Sequence, residues 1–136
     1  PMGKRAFEVQ GFQVPGLVAA ADLSAKQYCW VKLTEINQVS AIAADTDQPF
    51  GVLQNAPTAG QAAEVMVTGV SYVVAGGTID ASANANVGPS ATGTAVARVT
   101  GTDATRYRAG IALSDAASGD VIPVLLITPL FAVTAN

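Results

Sequence analysis

Ten acidic side chains, seven basic ones and a single cysteine are the groups with which this chain could do chemistry, and it has no histidine. Without an imidazole there is no Ser-His-Asp or Cys-His relay and no histidine-based metal site. Cys29 cannot pair within the chain, and its place in the run Tyr28-Cys29-Trp30-Val31 suits a small buried hydrophobe better than a nucleophile. Asp45-Thr46-Asp47 has the opening spacing of a calcium loop. Calcium wants about six to eight oxygens, and the glycine and distal glutamate that complete an EF-hand loop are missing, so a solvated turn is expected. Asp80, Asp115 and Asp120 stand in evident turns, where aspartate ordinarily serves the turn itself. Gly76-Gly77 has neither the spacing nor the lysine of a phosphate loop. These residues point away from an enzyme, and no cofactor, metal or small-molecule substrate is expected.

Binding chemistry is almost as sparse. Nucleic acid requires a Lys/Arg stripe to displace counterions from phosphates, and the chain has no basic cluster beyond Lys4-Arg5 and a net charge of -3. Tyr28, Trp30, Tyr72 and Tyr107 would stack on sugars if one face exposed several of them. In Tyr28 to Thr34, however, Tyr28, Trp30 and Lys32 alternate with Cys29, Val31 and Leu33, and core packing is the expected role of Trp30. The longest apolar tracts, 65–79 and 121–133, are broken by Gly69, Gly76 and Gly77 and by Pro123 and Pro129. Both fall short of the ~20 residues of a membrane helix. No hydrophobic segment follows Lys4-Arg5, so no signal peptide and no membrane partner are expected.

The elements that must position these residues read as strands. Half the residues are hydrophobic, 12% are charged, and small side chains dominate, which suits packed sheets better than solvated helices. At 136 residues one domain is expected. So little charge on so apolar a chain implies a surface partly covered by neighbours. Phe7 and Val9 alternate with polar residues, and Gly11, Pro15 and Gly16 then interrupt, so residues 1–16 read as an extended N-terminal arm, or equally as an ordinary first strand, before a β domain at 17–136. Leu17–Ala20, Tyr28–Thr34, Val39–Ala43, Val65–Val74 and Ala95–Thr100 read as strands. Residues 78–97 read as loops and weak strands, and Pro129 as the stop of the sheet. No stretch has helical period and caps. The expectation is an all-β fold, a compact single-domain barrel or sandwich of short strands.

One unit is written twice. Sliding Gly51 onto Gly110 also carries Gly60 onto Gly119, Val52 onto Ile111 and Val65 onto Val124 without a gap. Each copy reads as strand, turn, strand, and the two would form two walls of a single β-core. Duplication and the general likeness of hairpins both account for so few identities.

Gln27-Tyr28, Pro49-Phe50-Gly51-Val52-Leu53-Gln54, Gly60, Val65-x-Val67-x-Gly69, Asn86-Val87-Gly88, Gly110-Ile111-Ala112 and Gly119-Asp120-x-Ile122-x-Val124 together resemble the capsid decoration (cement) proteins of tailed bacteriophages. The resemblance covers about residues 22–127 and excludes the arm. It implies a structural virion protein on the outer surface of an icosahedral head. Such a protein is a homotrimer that binds the major capsid protein and braces capsomer seams, with no catalytic residues. The surfaces expected to make contact are the arm, through Phe7, Val9 and Phe12, and the small-residue loops of 76–94, beginning at Gly76 and Gly77. The alternatives from the residues themselves are a carbohydrate-binding or adhesin-like β module and another virion β-domain, of tail tube or baseplate.

Overall fold

The structure, a computed structural model, describes residues 10–99 and 102–131. These form ten strands and no helix: β1 (Gln10–Val14), β2 (Val18–Ala19), β3 (Trp30–Glu35), β4 (Gln38–Ala41), β5 (Gly51–Leu53), β6 (Val65–Val74), β7 (Asn86–Pro89), β8 (Ala95–Ala97), β9 (Tyr107–Ala112) and β10 (Val121–Phe131). They make one sheet in the order β2-β4-β3-β5-β6-β10-β9-β7-β8, with β1 beside β6. The all-β expectation holds. Of the arm, Phe7 and Val9 lie outside the described residues. Residues 10–14 are β1, antiparallel to β6. Gly11, read as a breaker, is inside β1: a Cβ there would lie 1.9 Å from the Thr68 carbonyl oxygen, so glycine permits a close strand crossing.

The sheet bends into two small rings. In the first, β5, β3, β4 and β2 return to the start of β6 through a Val18–Ala62 bridge and the Ala63 N–H donating to Leu17 O at 2.9 Å. In the second, β10, β9, β7 and β8 return to the end of β6 through a parallel Ala75–Ala95 bridge. Corresponding registers agree. Val31↔Ala41 recurs as Val87↔Ala97, Trp30↔Val52 as Asn86↔Ile111, and Val52↔Met66 as Ile111↔Leu125. The repeat suggested by a pair of hairpins therefore spans the fold, with Val18-Ala19 matching Val74-Ala75, β3 matching β7, and β4 matching β8.

The expected single core is two. Leu17, Ala19, Leu23, Val31, Val39, Leu53, Ala63 and Val65 fill the first ring. Their counterparts in the same order are Val73, Ala75, Ile79, Val87, Ala95, Ala112, Ile122 and Val124, in the second. The glycines match as well. A Cβ on Gly51 would meet Val65 Cγ1 at 2.6 Å, and one on Gly110 would meet Val124 Cγ1 at 2.4 Å, so each glycine leaves room for its ring's valine. Gly60 and Gly119 both turn with positive φ, 82° and 93°.

β6 serves both rings because its pleat is broken. Val65 faces the first core and Met66 the second, yet beyond Gly69 it is Val73 that faces the second. Side chains alternate along a strand, so a change of parity needs a local irregularity. Gly69, with φ of 98°, supplies it. β1 shares Val65 and Met66 with β5, and Gly69 and Val70 with β10. A strand has only two edges, so β5 and β10 follow one another along the same edge of β6, opposite β1. Pro129 does not end the sheet. β10 leaves β6 after Leu126, and the proline falls in the register shift before Leu130 pairs with Arg108, where no ladder N–H is required.

Candidate interaction surfaces

The acidic residues hold turns. Asp47 accepts the Ala43 and Ala44 N–H groups at 2.9 and 3.0 Å and the Lys32 ammonium at 2.9 Å. The Ala43 bond, then the Lys32 and Ala44 bonds, keep its carboxyl below the usual carboxylate range. Asp80 is lowered first by the Ser82 hydroxyl and then by backbone N–H groups of its own turn. Asp115 accepts the Ala81 N–H at 2.8 Å, and Asp120 that of Ala117 at 2.9 Å. Asp45 pairs with Arg106 Nε at 2.6 Å. Among the described residues no three of Asp, Glu, Cys or His gather as a metal would need. Cys29 is buried, and burial raises its thiol pKa.

Arg98 is the one buried cation among the described residues. It sits on the segment between β8 and β9, and the chain takes three more residues from Ala97 to Gly110 than from the matched Ala41 to Gly51. Its guanidinium donates to the carbonyls of Tyr107 and Pro89 and approaches Asp103 at 3.9 Å. Burial lowers its pKa, with Asp103 opposing that shift. These bonds tie a connection to the strands beneath it and leave no group turned toward a ligand.

A sugar platform is not assembled. Trp30 is 2% exposed within the second core, and Tyr28 and Tyr72 pack edge to face on each other, 6.0 Å apart at 70°. The expected contact residues separate. Phe12 is 58% exposed on β1, opposite Thr68. Gly76 lies at the end of β6, far along the sheet from β1's pairing partners. Its N–H donates to Ala95 O at 2.7 Å, and a Cβ would be 2.1 Å from Thr94 Oγ1, so it is also needed to close the second ring. Gly77 has no such constraint, its nearest neighbour to a Cβ being Val96 at 3.9 Å.

A further surface escaped the sequence reading. On β10 the residues turned away from the second core are Val121, Pro123, Leu125 and Ile127, all apolar. Val70 and Tyr72 of β6 and Ile111 of β9 lie beside them on the same face. Val121 is 50% exposed and Leu125 38%. A sheet face open to water ordinarily alternates with polar residues, and a contiguous apolar one marks an interaction site. The signal was present: 121–127 is continuously apolar, the pattern of a strand covered on both faces.

No family model matches the chain, and no curated protein matches its sequence. Its fold is similar to a solved structure, the head fiber gp8.5 N base in bacteriophage phi29, with a TM-score of 0.57 and 17% identity over 89% of this chain and 96% of that one. At that identity the likeness is one of fold.

Proposed function

We propose that this chain is a structural, non-catalytic component of a phage head: a decoration protein that binds the major capsid protein on the outer surface and braces the seams between capsomers as a homotrimer. The observation that carries this reading is the fold it shares, over nearly its whole length, with a phage head fiber base. The motif resemblance to cement proteins and the open apolar sheet face add to it. The mechanism is additive burial. Each copy contributes a modest contact, and many copies on a symmetric lattice act together, so stabilisation of the shell does not need tight binding per copy. A threefold arrangement presents one edge of the protein three times over one symmetric site. Phe12, exposed on β1, and the 76–94 segment with Gly76 and Gly77 are the surfaces assigned to the shell, together with Phe7 and Val9 of the arm. Nucleic acid, membrane and small-molecule partners have no part in this role.

The test is to mix the purified protein with expanded, undecorated capsids of a candidate phage and image them by electron cryomicroscopy. Density at threefold or quasi-threefold positions, and shells that survive higher temperature, are expected. Bare shells at saturating protein would overturn the proposal. Phe12→Ala is expected to weaken shell binding, while Thr58→Ala, exposed in the turn before Gly60 and away from both surfaces, leaves it unchanged.

A further inference from the structure

The internal repeat indicates what covers the open face of the second ring. In the first ring the outward row Trp30–Val52–Met66 runs across β3, β5 and β6. It is 2%, 0% and 3% exposed, because the second ring packs on it. Trp30 Cζ2 lies 3.5 Å from where a Cβ of Gly110 would stand. Ala109 is buried in the same cluster as that row, and Pro89, on the neighbouring strand β7, is fully buried.

Each of these residues has a counterpart, and the counterparts are more exposed. The matching row is Asn86–Ile111–Leu125, of which Leu125 is exposed and the other two are half-buried. The counterparts of Pro89 and Ala109 are Leu33, which is 50% exposed, and Phe50, half-buried. Leu33 and Phe50 line a cavity of about 180 Å³ with Gln48 and Pro49. The contact between the two halves therefore consists of an apolar row seated on an apolar mouth. Among the described residues, the molecule presents a second row, apolar at Ile111 and Leu125, at one end and a second such mouth at the other, neither of them fully covered.

We infer that a second copy of this chain occupies both: the Ile111/Leu125 row of one molecule seats on the Leu33/Phe50 mouth of the next, continuing between molecules the relation that already joins the two halves within one. Such a contact is heterologous, and it closes a ring where the rotation between copies is an exact fraction of a turn, as a trimer requires. It deepens the trimer of the preceding reading and rests on that reading only for the number of copies. Apolar side chains on both sides supply the burial, and neither surface places a charged group at its centre.

The experiment is sedimentation equilibrium over a range of concentration on the wild type and on Leu125→Lys, Val121→Lys and Leu33→Lys. Each variant is checked for an unchanged circular dichroism spectrum, and Val121→Lys stands in if Leu125→Lys does not fold. The wild type is expected to self-associate, and each substitution to weaken this at least tenfold. Because the two surfaces differ, mixing Leu125→Lys with Leu33→Lys leaves one intact row and one intact mouth, and a heterodimer is expected where neither variant alone associates. A wild type that stays monomeric at high concentration overturns the inference and gives the apolar row to the shell or to residues 1–9. Association abolished by Leu125→Lys but untouched by Leu33→Lys, with no heterodimer in the mixture, overturns it in favour of like-with-like pairing. Shell binding is read separately: a monomer that decorates capsids removes this inference alone, and an associating protein that never binds a shell removes the decoration reading alone.

Discussion

The first and second rings of this molecule are built on one plan and filled differently. At matched positions Leu53 stands where the second ring has Ala112, and Ala63 where it has Ile122. A large residue next to the start of β6 in one ring is balanced by a large residue on the facing strand in the other. Close-packed cores tolerate such exchanges when total volume is conserved. What the backbone requires is less free: a glycine opposite each valine, a glycine at each hairpin turn, and a parallel contact closing each ring. The fold is therefore specified by its crossings and turns, and core identity is secondary to core volume. The rings also differ in cover. The first has its outward row buried by the second, and on the second Val121 and Leu125 are left exposed among the described residues.

The comparison is broken most severely at Gly69, which has no equivalent use in the second ring. Gly69→Ala would place a Cβ 2.2 Å from Gln10 O and 2.5 Å from Gly11 Cα at a φ that L residues avoid. A loss of about 3 kcal/mol or more is expected in denaturant melts. Gly60→Ala and Gly119→Ala, with similar φ but nothing within 4 Å, should cost only about 1–2 kcal/mol each. Equal losses at all three would refute the account of β6.

Truncation within the cores comes next. Val65→Ala and Val124→Ala, equivalent and both 0% exposed, should each cost about 2 kcal/mol. Since β6 belongs to both rings, fluorescence of Trp30 and far-ultraviolet dichroism should report one shared unfolding transition in either variant. Two separated transitions would mean that the rings are independent domains.

The smallest effect concerns Asp47, whose counterpart Asp103 accepts the Val99 N–H at 2.7 Å as Asp47 accepts that of Ala43, but faces Arg98 and Arg106 where Asp47 faces Lys32. Its pKa is depressed in the folded state, so the stability it lends is present above the usual carboxylate pKa and is lost as pH falls through the depressed value. Asp47→Asn should flatten the acid limb of the stability profile, by under about 1 kcal/mol given its partial exposure. A variant whose acid limb is unchanged would assign that sensitivity to other carboxylates.

The strands were legible because their apolar runs are bounded by glycine and proline. Val65–Val74 was read to the residue, and the burial of Trp30 and Cys29 followed from their place in an alternating run. The second core was not legible. Trp30-Val31, Val52-Leu53 and Val65-Met66 are adjacent pairs that face opposite cores, and alternation alone cannot say that both faces are covered. Asn86–Pro89 is hard to read among small residues because one partner, Gly110-Ile111, lies far along the chain and the other, the nearby Ala95–Ala97, is itself a short run of small residues. The contact surfaces were the least legible, since an exposed apolar row and a buried one are spelled with the same letters.

Gly69 and the strand it interrupts leave this chain without a point of division. A gene cut between the halves would deprive one ring of a wall wherever the cut fell, because the last strand of the earlier copy is also the opening strand of the later. The two copies lie end to end in the sequence, with the junction falling inside one continuous strand. Descendants of such a chain can lengthen their loops or change their fillings, but they cannot shed half of themselves and keep the other half folded.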